Sequence, residues 1–175
     1  MQRYLAAHNL DLVVKTNLGV RTDEDKSRIP DVVVCTQSLL EQAAARPGAG
    51  ILDFDEKPLL VIEVVSENHR EDYIIKRVEY NLADVPEYWI ADPKQNKEKL
   101  RVLAFPEDDD IYEENDYLPG REIASVVFPN LILAVSEILS PPLVEELVKA
   151  EQAQLQKAER LAARLRELGV DPDTL

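Results

Sequence analysis

The stretch Leu59-Leu60-Val61-Ile62-Glu63-Val64-Val65-Ser66 decides how this chain folds. It is branched or apolar up to its closing serine, continuous rather than alternating, and Pro58 stands just outside its start. That pattern predicts a strand covered on both faces. Glu63 interrupts it. A buried carboxylate is costly unless it is paired, hydrogen-bonded or bound to a metal. Glu63 is therefore expected to face a polar cleft or to have a positive group against it. Upstream, Arg28-Ile29-Pro30-Asp31-Val32-Val33-Val34 places a second carboxylate in a strand-like apolar run. Two acids on separate strands, with a lysine-bearing helix after the second, are candidates for one divalent-metal site.

Downstream of this strand, residues 67–83 predict a helix whose apolar stripe is Ile74, Ile75, Val78 and Leu82. The same helix carries Asp72, Lys76 and Tyr80 at successive intervals of four, so these three share one face. Asp84-Val85-Pro86 ends it. Glu87 to Ala91 predicts a strand with Trp89 in the core and Tyr88 at the surface, and Leu100 to Phe105 predicts another. Tyr112–Leu118 and Glu122–Val127 then read as the arms of an acidic hairpin. Phe128-Pro129-Asn130-Leu131 closes the sheet region, ahead of a short helix at Val135–Leu139. Toward the N-terminus, residues 1–9 read as the end of a helix terminated at Asn9, which suggests that an N-terminal element is missing. Leu10 to Arg21 reads as one strand bent at Gly19, Ile29 to Thr36 as a second, and Gln37 to Ala45 as a short helix.

The character changes after Pro141-Pro142. Residues 143–168 contain no glycine or proline and are dominated by helix formers, which predicts a single helix. Leu143, Leu147, Leu155, Ala158, Leu161, Ala162, Leu165 and Leu168 form an apolar seam, interrupted near Gln152–Gln154. The chain is expected to be an α/β (α+β) protein with one domain over 1–140 and a helical arm over 141–170. The arm packs either on its own domain or on a partner helix, and a homo-oligomer is the expected assembly.

Composition narrows the function. At 175 residues the chain can bury a sizeable core. It has no apolar run near the roughly 20 residues needed to span a bilayer, and its start has no signal-peptide core. A lone cysteine, Cys35, sits in strand-like surroundings and is expected to be a buried thiol, compatible with a cytoplasmic location. The net charge of −14 counts against tight non-specific DNA binding, which relies on Lys and Arg. Half of that excess lies in residues 106–122, where eight acids face Arg121 alone. This run lacks the glycine and terminal glutamate of a calcium loop and reads as a solvated hairpin tip. His8 and His69 have no partner at ligand spacing and are expected in solvent.

Strand acid, strand acid and helix lysine is an arrangement suited to phosphodiester hydrolysis. Asp31 and Glu63 would hold Mg²⁺ or Mn²⁺, with the Val64 carbonyl as a further donor. A lysine nearby would orient the attacking water. Position 65, which alternates onto the Glu63 face, would suit that lysine but is valine, so Lys76 is the candidate. Simpler readings remain open. Asp31 can serve a turn, Asp72–Lys76 can be an ordinary helix pair, and Tyr80 can merely pack the helix on the sheet.

Several segments taken together resemble the Uma-type family of restriction-endonuclease-like proteins, in the PD-(D/E)xK nuclease superfamily. They are Asp31 after Pro30, Pro58 to Ser66 around Glu63, Asp72-x3-Lys76-x3-Tyr80, and Val85-Pro86-Glu87-Tyr88-Trp89-Ile90-Ala91-Asp92-Pro93. The resemblance covers roughly residues 10–140. It implies a restriction-endonuclease-like mixed central sheet flanked by helices and a metal held by Asp31 and Glu63. The superfamily's lysine is moved onto the helix at Lys76, and Asp72 and Tyr80 are accessory residues. The implied activity is Mg²⁺-dependent endonuclease cleavage of DNA. Two departures stand out. Members usually begin with a further helix and a glutamate-bearing hairpin that this sequence lacks, and the long C-terminal helix is no core part of the pattern. The alternative is a catalytically degenerate member that acts as a binding or assembly module through that helix.

Overall fold

The computed structural model describes residues 4–5, 8, 10–47, 50–128, 130–167 and 171, with the side chain of Val144 left out. The expected terminator Asn9, the closing Pro129 and the seam residue Leu168 lie outside the described residues. The chain divides into two units, residues 1–140 and 141–175.

The first unit is built on a six-stranded mixed sheet. In chain order its elements are β1 (Leu12–Lys15), β2 (Gly19–Asp23), β3 (Lys26–Arg28), β4 (Val32–Thr36), α1 (Gln37–Ala45), β5 (Ile51–Leu52) and β6 (Leu60–Val64). A π-helical turn, Glu71–Ile75, then runs into α2 (Lys76–Leu82), followed by β7 (Glu87–Asp92), β8 (Lys99–Ala104), β9 (Glu113–Tyr117), β10 (Glu122–Ala124), β11 (Ile132–Ala134) and α3 (Val135–Leu139). The large sheet runs β1-β4-β6-β7-β8-β9, and β6 and β7 are its parallel pair. Parallel neighbours need a crossover, and the segment carrying α2 supplies it.

The predicted central strand is β6, buried at the middle of the sheet. Alternation along the strands divides the core in two. Val33, Cys35, Val61, Val65, Tyr88 and Ile90 line one face with Tyr80 of α2. Val34, Leu60, Trp89 and Ala91 line the other with Phe128, Leu131 and Val135. Cys35 is buried, as expected. Tyr88 is fully buried rather than at the surface, because its strand is covered on both faces.

Other expectations are corrected. The strand read over Leu10–Arg21 is two strands, broken where Asn17 takes a positive φ of 60°. Only β1 joins the large sheet; β2 forms a separate three-stranded sheet, β3-β2-β5. The two arms of the acidic segment are not partners either. β9 pairs with β8, whereas β10 pairs with β11, and Gly120 at φ 88° makes the turn between them.

The predicted stripe of the crossover helix is also overturned. Ile74, Val78 and Leu82 are 56%, 52% and 72% exposed, while Asp72 and Tyr80 on the opposite face are buried. Polar partners beneath the helix, Glu63 and Ser66, turn that face inward. Arg28 adds to this by donating to Glu79 at 2.5 Å and pairing with Glu71 at 2.8 Å, which ties β3 to both halves of the crossover.

On the opposite face Glu87 is buried and accepts from the Trp89 indole N–H at 2.8 Å, the Ser125 hydroxyl at 2.5 Å and the Val126 and Val127 N–H groups at 3.2 Å. A buried carboxylate met by several donors is stabilised where an isolated one would not be. This one fixes the segment leading into β11.

The second unit is dominated by α4 (Val144–Glu167), close to the predicted helix. Val148, Leu155 and Leu161 are exposed along it. No helix among the described residues is long and apolar enough to cross a membrane.

Candidate active site

The site lies at the carboxyl end of β6. The antiparallel β4–β6 ladder pairs Val34 with Leu60, Val33 with Val61 and Val32 with Ile62; one step further sets Asp31 opposite Glu63. Residues opposed in this way point to the same face. Asp31 sits just before β4, is exposed, and accepts the Val64 N–H on Oδ2 at 2.7 Å. Glu63 is 3% exposed. Val65 lies on the same face and is packed in the core, as the alternation predicts.

The crossover brings two groups onto Glu63 and a third onto one of them. Lys76 Nζ lies 3.0 Å from Glu63 Oε2 and 2.8 Å from Asp72 Oδ1. The Tyr80 hydroxyl donates to Glu63 Oε1 at 2.9 Å. Asp72, 1% exposed, accepts the Ser66 N–H at 3.0 Å and the Ser66 hydroxyl at 3.2 Å on its other oxygen. The Tyr88 hydroxyl donates to the Asp72 carbonyl at 3.1 Å. Asp72–Lys76 is thus an i,i+4 pair aimed at the sheet, and Tyr80 both packs the helix and holds Glu63. Asp72 belongs to the π-helical turn, in which the Lys76 N–H reaches the Glu71 carbonyl; such turns recur at functional sites.

Burial pushes the Glu63 carboxyl up, and the nearby Asp31 charge adds to this; Lys76 and Tyr80 offset it only in part. Burial alone would lower the Lys76 ammonium, but the carboxylates of Asp72 and Glu63 hold it above its ordinary value. One ammonium therefore serves two carboxylates. Burial, followed by the Glu63 charge, raises the Tyr80 phenol and keeps it a donor.

The same level of the sheet continues as a lateral row. Glu63 is in register with Ile90, Ile90 with Arg101, and Arg101 with Asp116. Arg101 donates to Asp116 at 2.6 Å and to Glu114 at 2.9 Å, so part of the acidic segment is paired rather than solvated. Among the described residues no cluster of three or more His, Cys, Asp or Glu side chains is arranged to hold a metal. The residues that sequence reading missed are Ser66, Arg28, Glu71 and Glu79. The available signal was a polar helix face directly following a strand with a glutamate at its centre.

A mixed sheet whose parallel central pair is joined by a helix carrying a lysine toward a strand glutamate defines a restriction-endonuclease-like protein. Residues 1–136 match the family described as "Uma2: Putative restriction endonuclease", and the chain belongs to that family. No curated protein matches the chain.

Proposed function

We propose that this chain is a metal-dependent endonuclease acting on DNA. The observation that carries the reading is the convergence of Lys76 and Tyr80 on Glu63, with Asp72 holding Lys76, opposite Asp31 across the β4–β6 ladder. The donor chemistry suits Mg²⁺ or Mn²⁺. Asp31, Glu63 and the Val64 carbonyl are hard oxygen donors, and Mg²⁺ is commonly held by one or two carboxylates, with waters and substrate phosphates completing its shell. Such an ion supplies Lewis acidity, lowering the pKa of a coordinated water and offsetting charge on phosphoryl oxygens.

The chain's own residues do the rest. Asp31 is oriented by the Val64 N–H. Tyr80 holds one Glu63 oxygen in place. The Lys76 ammonium, kept charged by its two carboxylates, donates a hydrogen bond to the attacking water or to a phosphoryl oxygen as charge develops there. Asp72 is a positioning residue that fixes Lys76 through its anchor on Ser66.

Calorimetric titration of Mg²⁺ and Mn²⁺ into the folded wild type and Glu63→Gln tests the reading. Binding by the wild type, its loss in the variant, and nicking of supercoiled plasmid by the wild type alone are expected. Absence of wild-type binding at millimolar metal would overturn the reading.

A second reading, an assembly module acting through α4, is favoured by the exposed Val148, Leu155 and Leu161. The occupant is a second copy in antiparallel orientation. Residues 144–155 carry a net −2 and residues 156–167 a net +2, so opposed copies match acid to base. Light scattering on the wild type and on Leu155→Glu/Leu161→Glu decides it. A dimer that the double variant makes monomeric supports the pairing, and a monomeric wild type removes it.

A further inference from the structure

A cleft of about 850 Å³ opens beside the candidate site, bounded by His69, Tyr73, Asp92, Lys97, Glu98 and Lys99. Its position follows from the sheet. Asp92 lies two residues beyond Ile90, the register partner of Glu63, so the cleft floor is roughly 7 Å further along the same face. Tyr73, in one wall, immediately follows Asp72 of the site.

In a chain of net charge −14, the side chains gathered here are unusual. Lys97 is exposed at the turn between β7 and β8. Lys99 lies 5.1 Å from the Tyr73 ring centre and pairs with Asp116 at 2.8 Å. Exposed His69 stacks on Tyr73 with ring centres 6.1 Å apart, accepts from the Lys94 ammonium on Nε2, and has Nδ1 3.9 Å from Asp92. Buried Asp92 is already engaged by the Tyr73 hydroxyl and the Lys94 N–H, both at 3.2 Å, so its charge is taken up in the floor. Glu98 at the rim and Asp116 behind Lys99 are the further acids that oppose an anion.

We propose that this cleft takes a phosphodiester of the bound strand, next to the one at Asp31, Glu63 and Lys76, with Lys97 and Lys99 as its donors and the His69 ring bordering it. The inference rests on the nuclease reading and deepens it. The lysines Lys97 and Lys99 stand against Asp92 and Glu98, so the cleft is balanced in charge where the chain as a whole is acidic. Phosphate contacts of this kind position a strand without reading its sequence.

The test is fluorescence anisotropy of a labelled 20-base-pair duplex with the full chain in chelator, where no cleavage occurs, across a salt series. Lys97→Glu is expected to weaken binding at least fivefold and to lower the salt slope by about one. His69→Ala should weaken binding less, and Glu98→Gln should tighten it. These side chains border solvent, and thermal melts verify that the variants fold. Wild-type binding that none of the three variants alters would overturn the subsite and leave the nuclease reading in place. Absence of duplex binding together with absence of Mg²⁺ binding would overturn both. Titration with inorganic phosphate, followed on the His69 ring resonances, separates the sources of the anion. A phosphate response combined with duplex affinity indifferent to Lys97→Glu would make this a pocket for a free anion and overturn its assignment to a strand.

Discussion

The Tyr80 hydroxyl donates to Glu63 Oε1 at 2.9 Å, while Lys76 lies 3.0 Å from the other oxygen, so both oxygens of the central carboxylate are held from one helix. Tyr80→Phe removes one of these partners without opening a cavity. A hydrogen bond to a charged group is worth about 1.5–3 kcal/mol, and a stability loss in that range is expected by thermal or denaturant unfolding. The Glu63 carboxyl should rise further, so Mg²⁺ affinity near neutral pH should fall in calorimetry even where the variant remains folded.

Lys76→Met leaves Asp72 and Glu63 buried beside one another without their shared ammonium. Breaking a buried ion pair from one side costs about 3–5 kcal/mol, and a loss of that order is expected in denaturant titrations. Lys76→Arg keeps the charge and should recover most of the stability. Plasmid cleavage should drop about 100-fold or more in Lys76→Met, the usual scale for losing one preorganised donor to a developing charge.

Stability should respond to pH in opposite senses at two places. Glu63 is raised on folding, so its contribution is fully present below the ordinary glutamate value of 4.5 and is lost as pH climbs through the raised value. Asp116 is pulled down to about 2, first by its hydrogen bond from Arg101; its contribution is present above the ordinary 3.8 and is lost as pH falls toward 2. Melting temperatures of wild type and Glu63→Gln measured from pH 3 to 8 should converge at the acid end. They should separate above pH 4.5, with the variant the flatter of the two.

Thr22 carries a buried hydroxyl with no hydrogen-bond partner among the described residues. Replacing an unsatisfied buried hydroxyl with a methyl removes a desolvation cost at nearly constant volume. Thr22→Val is expected to stabilise the fold by about 1 kcal/mol in denaturant unfolding, with Mg²⁺ binding unchanged.

Much of the site was legible because its spacing is short-range. Glu63 stood out as the charge in an apolar run, and Asp72, Lys76 and Tyr80 share a face by helical arithmetic alone. What misled was the companion stripe. Periodicity assumes that the apolar side of a helix faces the core, yet Ile74, Val78 and Leu82 face outward here. A glutamate beneath the helix had already decided which side must be buried. The Arg28 bridge to Glu71 and Glu79 could not be foreseen, because it joins residues 43 and 51 positions apart in strand and crossover. Likewise, the partners of β9 and β10 are chosen by sheet topology. Nothing in the acidic segment itself sends its two arms to different sheets.

The π-helical turn at Glu71–Ile75 makes chain length a property of this site in its own right. Each residue of an α-helix advances about 100° around the axis. Deleting any one residue of the turn would swing everything before it by that angle relative to Lys76 and Tyr80. With the deletion at Tyr73, Ile74 or Ile75, Ser66 and Asp72 would move together and Asp72 would leave its place beside Lys76, while the composition of the face barely changed. The turn acts as a phase adjuster between strand and helix. Two chains with identical acids and lysines would differ in whether those groups meet if they differed here by a single residue.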